Sequence, residues 1–295
     1  MQSLLLFFYT LLQKFSFSGI ILVNYIHGGL MMDLKNCKRI VIKVGTSTLT
    51  HETGMLNIRR VEGLVKTLSD LKNSGKEIIL VSSGAIGVGV GKLGLKSRPS
   101  DTPSKQAAAA VGQCELMYLY DKQFEEYHHT VAQLLLTRDV VEMEKRKQNV
   151  INTLDRLLDM NVIPVINEND TVSVDEIEFG DNDTLSAIVA TLAKADCLVL
   201  LSDIDGLFDS DPRQNPDAKL IPVIEKIDEK IMALAGDAGT ARGTGGMITK
   251  IHAAQIANAA NIPMAIINGE KPELLYDLFD GKSVGSVFLP KKEDF

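Results

Sequence analysis

Arg39-Ile40-Val41-Ile42-Lys43-Val44-Gly45-Thr46-Ser47-Thr48 is the stretch on which the rest of the chain is read. Its β-branched apolar run has the composition of a buried strand, and it passes directly into glycine and three hydroxyl residues. The same grammar recurs along the chain. Residues 77–81 read as a strand followed by Ser82-Ser83-Gly84-Ala85 and a glycine-rich helix. Residues 131–136 read as a strand, and 162–166 as one that runs into Asn167-Glu168-Asn169-Asp170. Residues 197–201 make a buried strand ending in Ser202-Asp203, and 264–267 the strand that closes the sheet. Helical spacing covers 59–74, 106–126, 145–160, 184–194 and 248–261 between them. Short strands alternating with longer helices predict an α/β fold, a three-layer αβα sandwich around a mainly parallel sheet. No linker, repeat or low-complexity tract divides the chain, so residues 32–295 are expected to form a single domain.

The clusters at Gly45–Thr48, Ser82–Ala85, Asn167–Asp170 and Ser202–Asp203 all follow the carboxyl ends of strands. In open parallel sheets that edge is where ligands bind. A chance scatter of small polar residues would not favour one edge so consistently.

The chain has 295 residues and a formal net charge of −7, with 45% hydrophobic and 23% charged residues. Acidity leaves no basic surplus to neutralise a nucleic-acid backbone, so no nucleic-acid partner is expected. Local lysines and backbone N–H groups can still hold a phosphate. Cys37, Cys114 and Cys197 have no metal-ligand spacing and read as buried small side chains in a reducing compartment, consistent with the cytoplasm. Residues 1–31 are a separate apolar leader with Lys14 as the only charge before Asp33. Three readings are open for it: initiation at Met31 or Met32, a membrane-associating leader, or an additional ordered helix.

Two stretches carry phosphate chemistry. Lys43-Val44-Gly45-Thr46-Ser47 sets a lysine at a strand end before a small turn whose amides can approach phosphate oxygens. Thr244-Gly245-Gly246-Met247-Ile248-Thr249-Lys250 opens a helix with glycines, whose N-terminal amides and dipole favour an anion. Lys250 lies about one turn in and can reach back toward a transferring group. Gly180-Asp181-Asn182-Asp183 and Asn167-Glu168-Asn169-Asp170 concentrate carboxylates and amides at the same edge. Such groups can hold Mg²⁺, orient lysines or grip a substrate ammonium; part of the role of Asp181 or Asp183 is helix capping, with an Asp expected at the N-cap. No Ser-His-Asp or Cys-His set is suggested. An acceptor carboxylate would need no base, because it is already ionised at neutral pH.

Gly89-Val90-Gly91-Lys92-Leu93-Gly94 matches the dinucleotide fingerprint in letters only, since it starts well beyond the strand-to-helix turn. His128-His129 has no ligand spacing and reads as a partly exposed helix end.

Taken in order, KVGTS at Lys43–Ser47, VSSGAI at Val81–Ile86, VINEND at Val165–Asp170, FGDNDTLSA at Phe179–Ala187, DPRQNP at Asp211–Pro216 and GTGGMITK at Gly243–Lys250 resemble the glutamate 5-kinases of the amino-acid kinase superfamily. The match covers about residues 39–289. The resemblance implies the amino-acid kinase fold and ATP-dependent phosphorylation of L-glutamate to L-glutamyl 5-phosphate, the first step of proline biosynthesis. It implies Lys43, Lys250 and Asp183 as catalytic residues, the lysines neutralising the phosphoryl group and Asp183 orienting them. It implies Ser83, Asp170 and Asn182 as glutamate-binding. It assigns the nucleotide to Lys43, Ser202, Asp203, Thr244, Gly245, Gly246, Met247, Ile248, Thr249 and Lys250, with Mg²⁺ held mainly through ATP phosphates. L-Proline is implied as feedback inhibitor. The expected assembly is a homo-oligomer coupled functionally to the next enzyme of the pathway. The C-terminal PUA domain of many members has no counterpart in this sequence, and nothing is carried over from it. Two rivals stand beside this reading: a kinase of the same superfamily acting on another acceptor, and a silent sensor of nucleotide or amino acid.

Overall fold

The computed structural model describes residues 34–51, 53–137, 143–172, 182–236 and 246–290, with the backbone of 23–26 and 29–32. Strands β1 (Val23–Ile26) and β2 (Gly29–Met32) form an antiparallel hairpin, a two-stranded sheet of their own. Over that part of the leader, the hairpin stands where one reading placed a helix. Residues 1–22 lie outside the described residues.

The main body runs β3 (Arg39–Val44), α1 (Thr46–Leu49), α2 (Ile58–Asn73), β4 (Glu77–Ser82), α3 (Ala85–Lys92), α4 (Thr102–Glu125) and β5 (Val131–Leu136). It continues with α5 (Glu144–Asp159), β6 (Ile163–Glu168), α6 (Asn182–Leu192), β7 (Cys197–Ser202), β8 (Val223–Ile224), α7 (Glu229–Gly236), α8 (Met247–Ala259), β9 (Met264–Asn268), α9 (Leu274–Phe279) and β10 (Ser286–Phe288). Eight strands form one sheet in the order β5-β6-β4-β3-β7-β9-β10-β8, parallel except where β10 runs against β9. The expected closing strand, β9, is therefore not the last. β10 and β8 lie beyond it, and at 3 and 2 residues they are too short to show a periodic signal. α4 begins earlier than its apolar spacing suggested, because the Asp101 side chain accepts from Ser104 N and Pro103 stands in the first turn.

Period-2 alternation sorts the strand residues onto two cores. Ile40, Ile42 and Val44 of β3, Ile78 and Leu80 of β4, and Val199 and Leu201 of β7 join a core that includes side chains of α2, α3, α4 and α9. Val41, Ile79, Val81, Leu198 and Leu200 join the other, with side chains of α5, α6, α7 and α8. From β3 the chain builds outward through β4 to β6 and β5, then returns to the opposite side of β3 with β7. The order in which strands are added reverses at β3 while their direction stays parallel, which opens the crevice at the carboxyl edge.

The fingerprint-like glycines of α3 serve packing. A Cβ on Gly89 would lie 1.8 Å from Ala108 O, and one on Gly112 of α4 would lie 1.8 Å from Ala85 O. The two helix backbones touch, so neither position tolerates a methyl group without parting them. Gly112→Ala is expected to destabilise the protein by about 1–3 kcal/mol or more, through overpacking against backbone. Urea unfolding checks this; an unchanged midpoint would refute the close contact.

Cys37 and Cys197 are buried as expected, but Cys114 is exposed on the outer face of α4. His129 is also more enclosed than expected, packed 3.4 Å from Ser69 O, and burial pushes its pKa down.

Candidate active site

Parity on β3 decides where Lys43 goes. It alternates with Ile42 and Val44 and so shares the face of Val41, the side packed by α6 and α8. There its Nζ lies 2.7 Å from Asp183 Oδ1, near the start of α6. Lys250 Nζ, in the first turn of α8, lies 2.9 Å from Asp183 Oδ2. Two ammonium groups from different elements thus converge on one carboxylate. All three side chains are enclosed, at 11%, 9% and 1% relative exposure for Lys43, Lys250 and Asp183. Burial alone would push the Asp183 pKa up, but Lys43 and Lys250 outweigh it and hold the carboxyl well below the usual range. The trio carries one net positive charge in a buried place, an arrangement complementary to an incoming anion. Asp183 is not the N-cap expected from its position, because α6 already begins at Asn182.

Thr249 Oγ1 lies 2.9 Å from Asp183 Oδ2 and 2.8 Å from Gly246 O. Its hydroxyl is turned toward Asp183, and Ile248 packs into the second core. Of the glycine-helix run, Gly246, Met247 and Lys250 line a cavity of about 310 Å³ together with Asp203, Asp205, Phe208, Arg213 and Asn268. A second hollow of about 610 Å³ adjoins it and shares Ile204, Phe208, Pro212 and Met247. Ser202 Oγ is 3.2 Å from Asp203 Oδ1. Thr244 and Gly245, like Gly180 and Asp181, lie outside the described residues.

Ser83 and Asn182 meet: Asn182 Nδ2 donates to Ser83 Oγ at 2.9 Å, and lies 3.1 Å from Ser82 O. Gly84, at φ +100°, turns the chain from β4 into α3 in a conformation that a side chain would strain, and so leaves Ser83 at the strand tip. Asp170 is buried just beyond the end of β6. The expected substrate residues and the expected catalytic residues therefore lie at one edge, joined through neighbours Asn182 and Asp183.

With that geometry in view, the sequence matches a model of the amino acid kinase family over residues 38–268. The chain belongs to the amino acid kinase family. Among relatives of this amino acid kinase, the glutamate 5-kinase of Clostridium perfringens is 56% identical over 263 residues, 88% of this chain and 98% of the relative. The glutamate 5-kinase of Clostridium tetani is 58% identical over 86% of this chain and 96% of its own. That of Listeria innocua is 53% identical over 89% and 96%. Among solved structures, the carbamate kinase of Giardia lamblia bound to AMP-PNP superposes with a TM-score of 0.60 at 18% identity, covering 88% of this chain and all of that one. The UMP kinase of Bacillus anthracis gives 0.58 at 16%, covering 87% and 97%. At such identities these two speak for the amino acid kinase fold alone.

Sequence reasoning missed several residues of the site. Asn268 follows a strand end like the other clusters, so the edge rule could have found it. Pro212 and Arg213 belong to the turn at Asp211–Pro216, and both line the cavity from the surface. Gln113 and Phe208 carried no local signal, since each reaches the site only through tertiary packing.

Proposed function

We infer that this amino acid kinase is a glutamate 5-kinase: it transfers the γ-phosphoryl group of ATP to the side-chain carboxylate of L-glutamate, giving L-glutamyl 5-phosphate in the first step of proline biosynthesis. The observation that carries the reading is the pair of buried ammonium groups, Lys43 and Lys250, held by the single carboxylate of Asp183 beside the cavity. A carboxylate attacking a phosphoryl group brings two anions together. The difficulty is repulsion rather than proton removal, and positioned positive charge addresses it. Lys43 and Lys250 neutralise the phosphoryl oxygens in flight, and Asp183 keeps both ammonium groups aimed. Ser83, Asp170 and Asn182 hold the glutamate. Ser202, Asp203 and residues 244–250 meet the nucleotide, whose base occupies the more apolar hollow beside Phe208 and Met247. The carboxylates Asp203 and Asp205 line the cavity, but among the described residues no three His, Cys, Asp or Glu side chains cluster to hold a metal. Mg²⁺ would be carried mainly on the ATP phosphates and would neutralise charge on the leaving and transferring groups.

L-Proline belongs to the same reading as a feedback inhibitor, because it shares the α-carboxylate and adjacent ammonium of glutamate and lacks the side-chain carboxylate. No helix among the described residues is long and apolar enough to cross a membrane. ADP release with L-glutamate, N-acetyl-L-glutamate, L-aspartate and UMP tests the function. L-Glutamate is expected to exceed every other acceptor by at least tenfold, with rates lowered by millimolar L-proline and not by D-proline. Preference for another acceptor would overturn the substrate, and equal rates with both prolines would overturn the inhibitor.

A further inference from the structure

At the carboxyl edge of the sheet a chain of three side-chain amides passes from one helical layer to the other. Gln113 of α4 stands on the side of the first core, Asn167 is the penultimate residue of β6, and Asn182 opens α6 on the side of the second. Asn167 Nδ2 donates to Gln113 Oε1 at 2.8 Å, and Asn182 Nδ2 donates to Asn167 Oδ1 at 2.9 Å. Asn167 and Asn182 are both buried, at 2% and 3% exposure.

The orientation of each amide in this chain is dictated by its neighbour. The backbone N–H of Glu168 can only donate, and it donates to Asn167 Oδ1 at 2.9 Å. That pins the oxygen of Asn167 on one side and turns its amino group to the other, where an acceptor is required. Gln113 Oε1 is that acceptor. The pinned oxygen in turn draws the amino group of Asn182, which also meets Ser82 O and Ser83 Oγ. Asn182 Oδ1 is thereby pointed away from the whole network. It is buried and has no hydrogen-bond partner among the described residues, so it stands ready to accept from a ligand donor such as a primary ammonium.

We propose that Gln113 is a positioning residue for the phosphoryl acceptor: by accepting from Asn167 it fixes the Asn182 amide with its oxygen presented to the acceptor's ammonium. The proposal rests on the reading that Asn182 meets the glutamate. The helix bearing Gln113 is itself held in place. Gly112 abuts Ala85 O, and Tyr120, two turns on, is 2.9 Å from Ser82 Oγ at the end of β4. Gln113 touches no reacting atom, and its effect passes through Asn167 alone.

The test compares Gln113→Met, which keeps the length and removes the acceptor, Gln113→Ser, which shortens the side chain, and Gln113→Glu, whose carboxylate accepts at the same place. Asn182→Ala is measured beside them in the full-length enzyme. Loss of the acceptor leaves a buried amino group unpaired and loosens Asn182, so Gln113→Met and Gln113→Ser are expected to raise the KM for L-glutamate about tenfold. The KM for ATP is expected to stay within about twofold, and Gln113→Glu to return the glutamate KM to within about threefold of the parent. A general structural role would not separate the two substrates or be rescued by the conservative change. If Asn182→Ala raises the glutamate KM while Gln113→Met and Gln113→Ser leave it unchanged, the role of Gln113 is refuted and the acceptor site stands. If Asn182→Ala leaves the glutamate KM unchanged, the acceptor site is wrong and the proposal falls with it. Equal rises in both KM values, or a Gln113→Glu variant as impaired as Gln113→Met, refute the proposal as well.

Discussion

Asp183→Asn is expected to lower kcat by about 10²–10³-fold and the free energy of unfolding by about 3–5 kcal/mol, because it removes the only negative charge of a buried trio. Lys43 and Lys250 would then face each other across an amide that cannot neutralise either of them. Their enclosure leaves limited room for water to compensate. The acid limb of stability should change as well. In the parent the folded-state pKa of Asp183 is depressed, so its stabilising contribution is present above the ordinary carboxylate pKa of about 4 and is lost only as pH falls toward the depressed value. Asp183→Asn removes that component, and its stability curve should be flatter below about pH 4. Steady-state kinetics and urea unfolding between pH 3 and 7 check both effects. A variant with kcat within tenfold of the parent and an unshifted midpoint would remove Asp183 from the centre of the site.

Lys250→Ala carries the opposite signature. Turnover is expected to fall by about 10²–10³-fold or more, since a charge aimed at the transferring group is lost. Folding stability should fall far less than for Asp183→Asn. Removing Lys250 leaves Asp183 paired with Lys43 at 2.7 Å and bonded to Thr249, a neutral arrangement with no stranded charge. The reason is charge balance and not exposure, since Lys250 is buried. Lys250→Met, which keeps the packed stem, separates charge from volume. If either variant retains more than about a tenth of the parent kcat, Lys250 does not act on the phosphoryl group. If Lys250→Met unfolds as readily as Asp183→Asn, the charge-balance account fails.

Much of this protein was legible before any coordinates. The strands 39–44 and 131–136 coincide with their apolar runs, because a β-branched stretch bounded by polar residues has few other ways to bury itself. The common edge of the polar clusters followed from strand direction alone, and it pointed to the candidate site. Lys43 and Lys250 could be picked out for the same reason, at a strand end and a helix start where local chemistry writes itself into the sequence, whereas the role of Asp183 rested on the family resemblance. What only the tertiary structure decided is which of these groups touch. That Lys43 and Lys250 share one carboxylate depends on β3 parity and on how α6 and α8 lie against the sheet. That Gln113 governs an amide 69 residues away depends on α3 and α4 meeting backbone to backbone at Gly89 and Gly112. Short-range patterns record secondary structure because its periods are local. Contacts across layers are set by the packing of several elements at once, and no window of sequence holds that information.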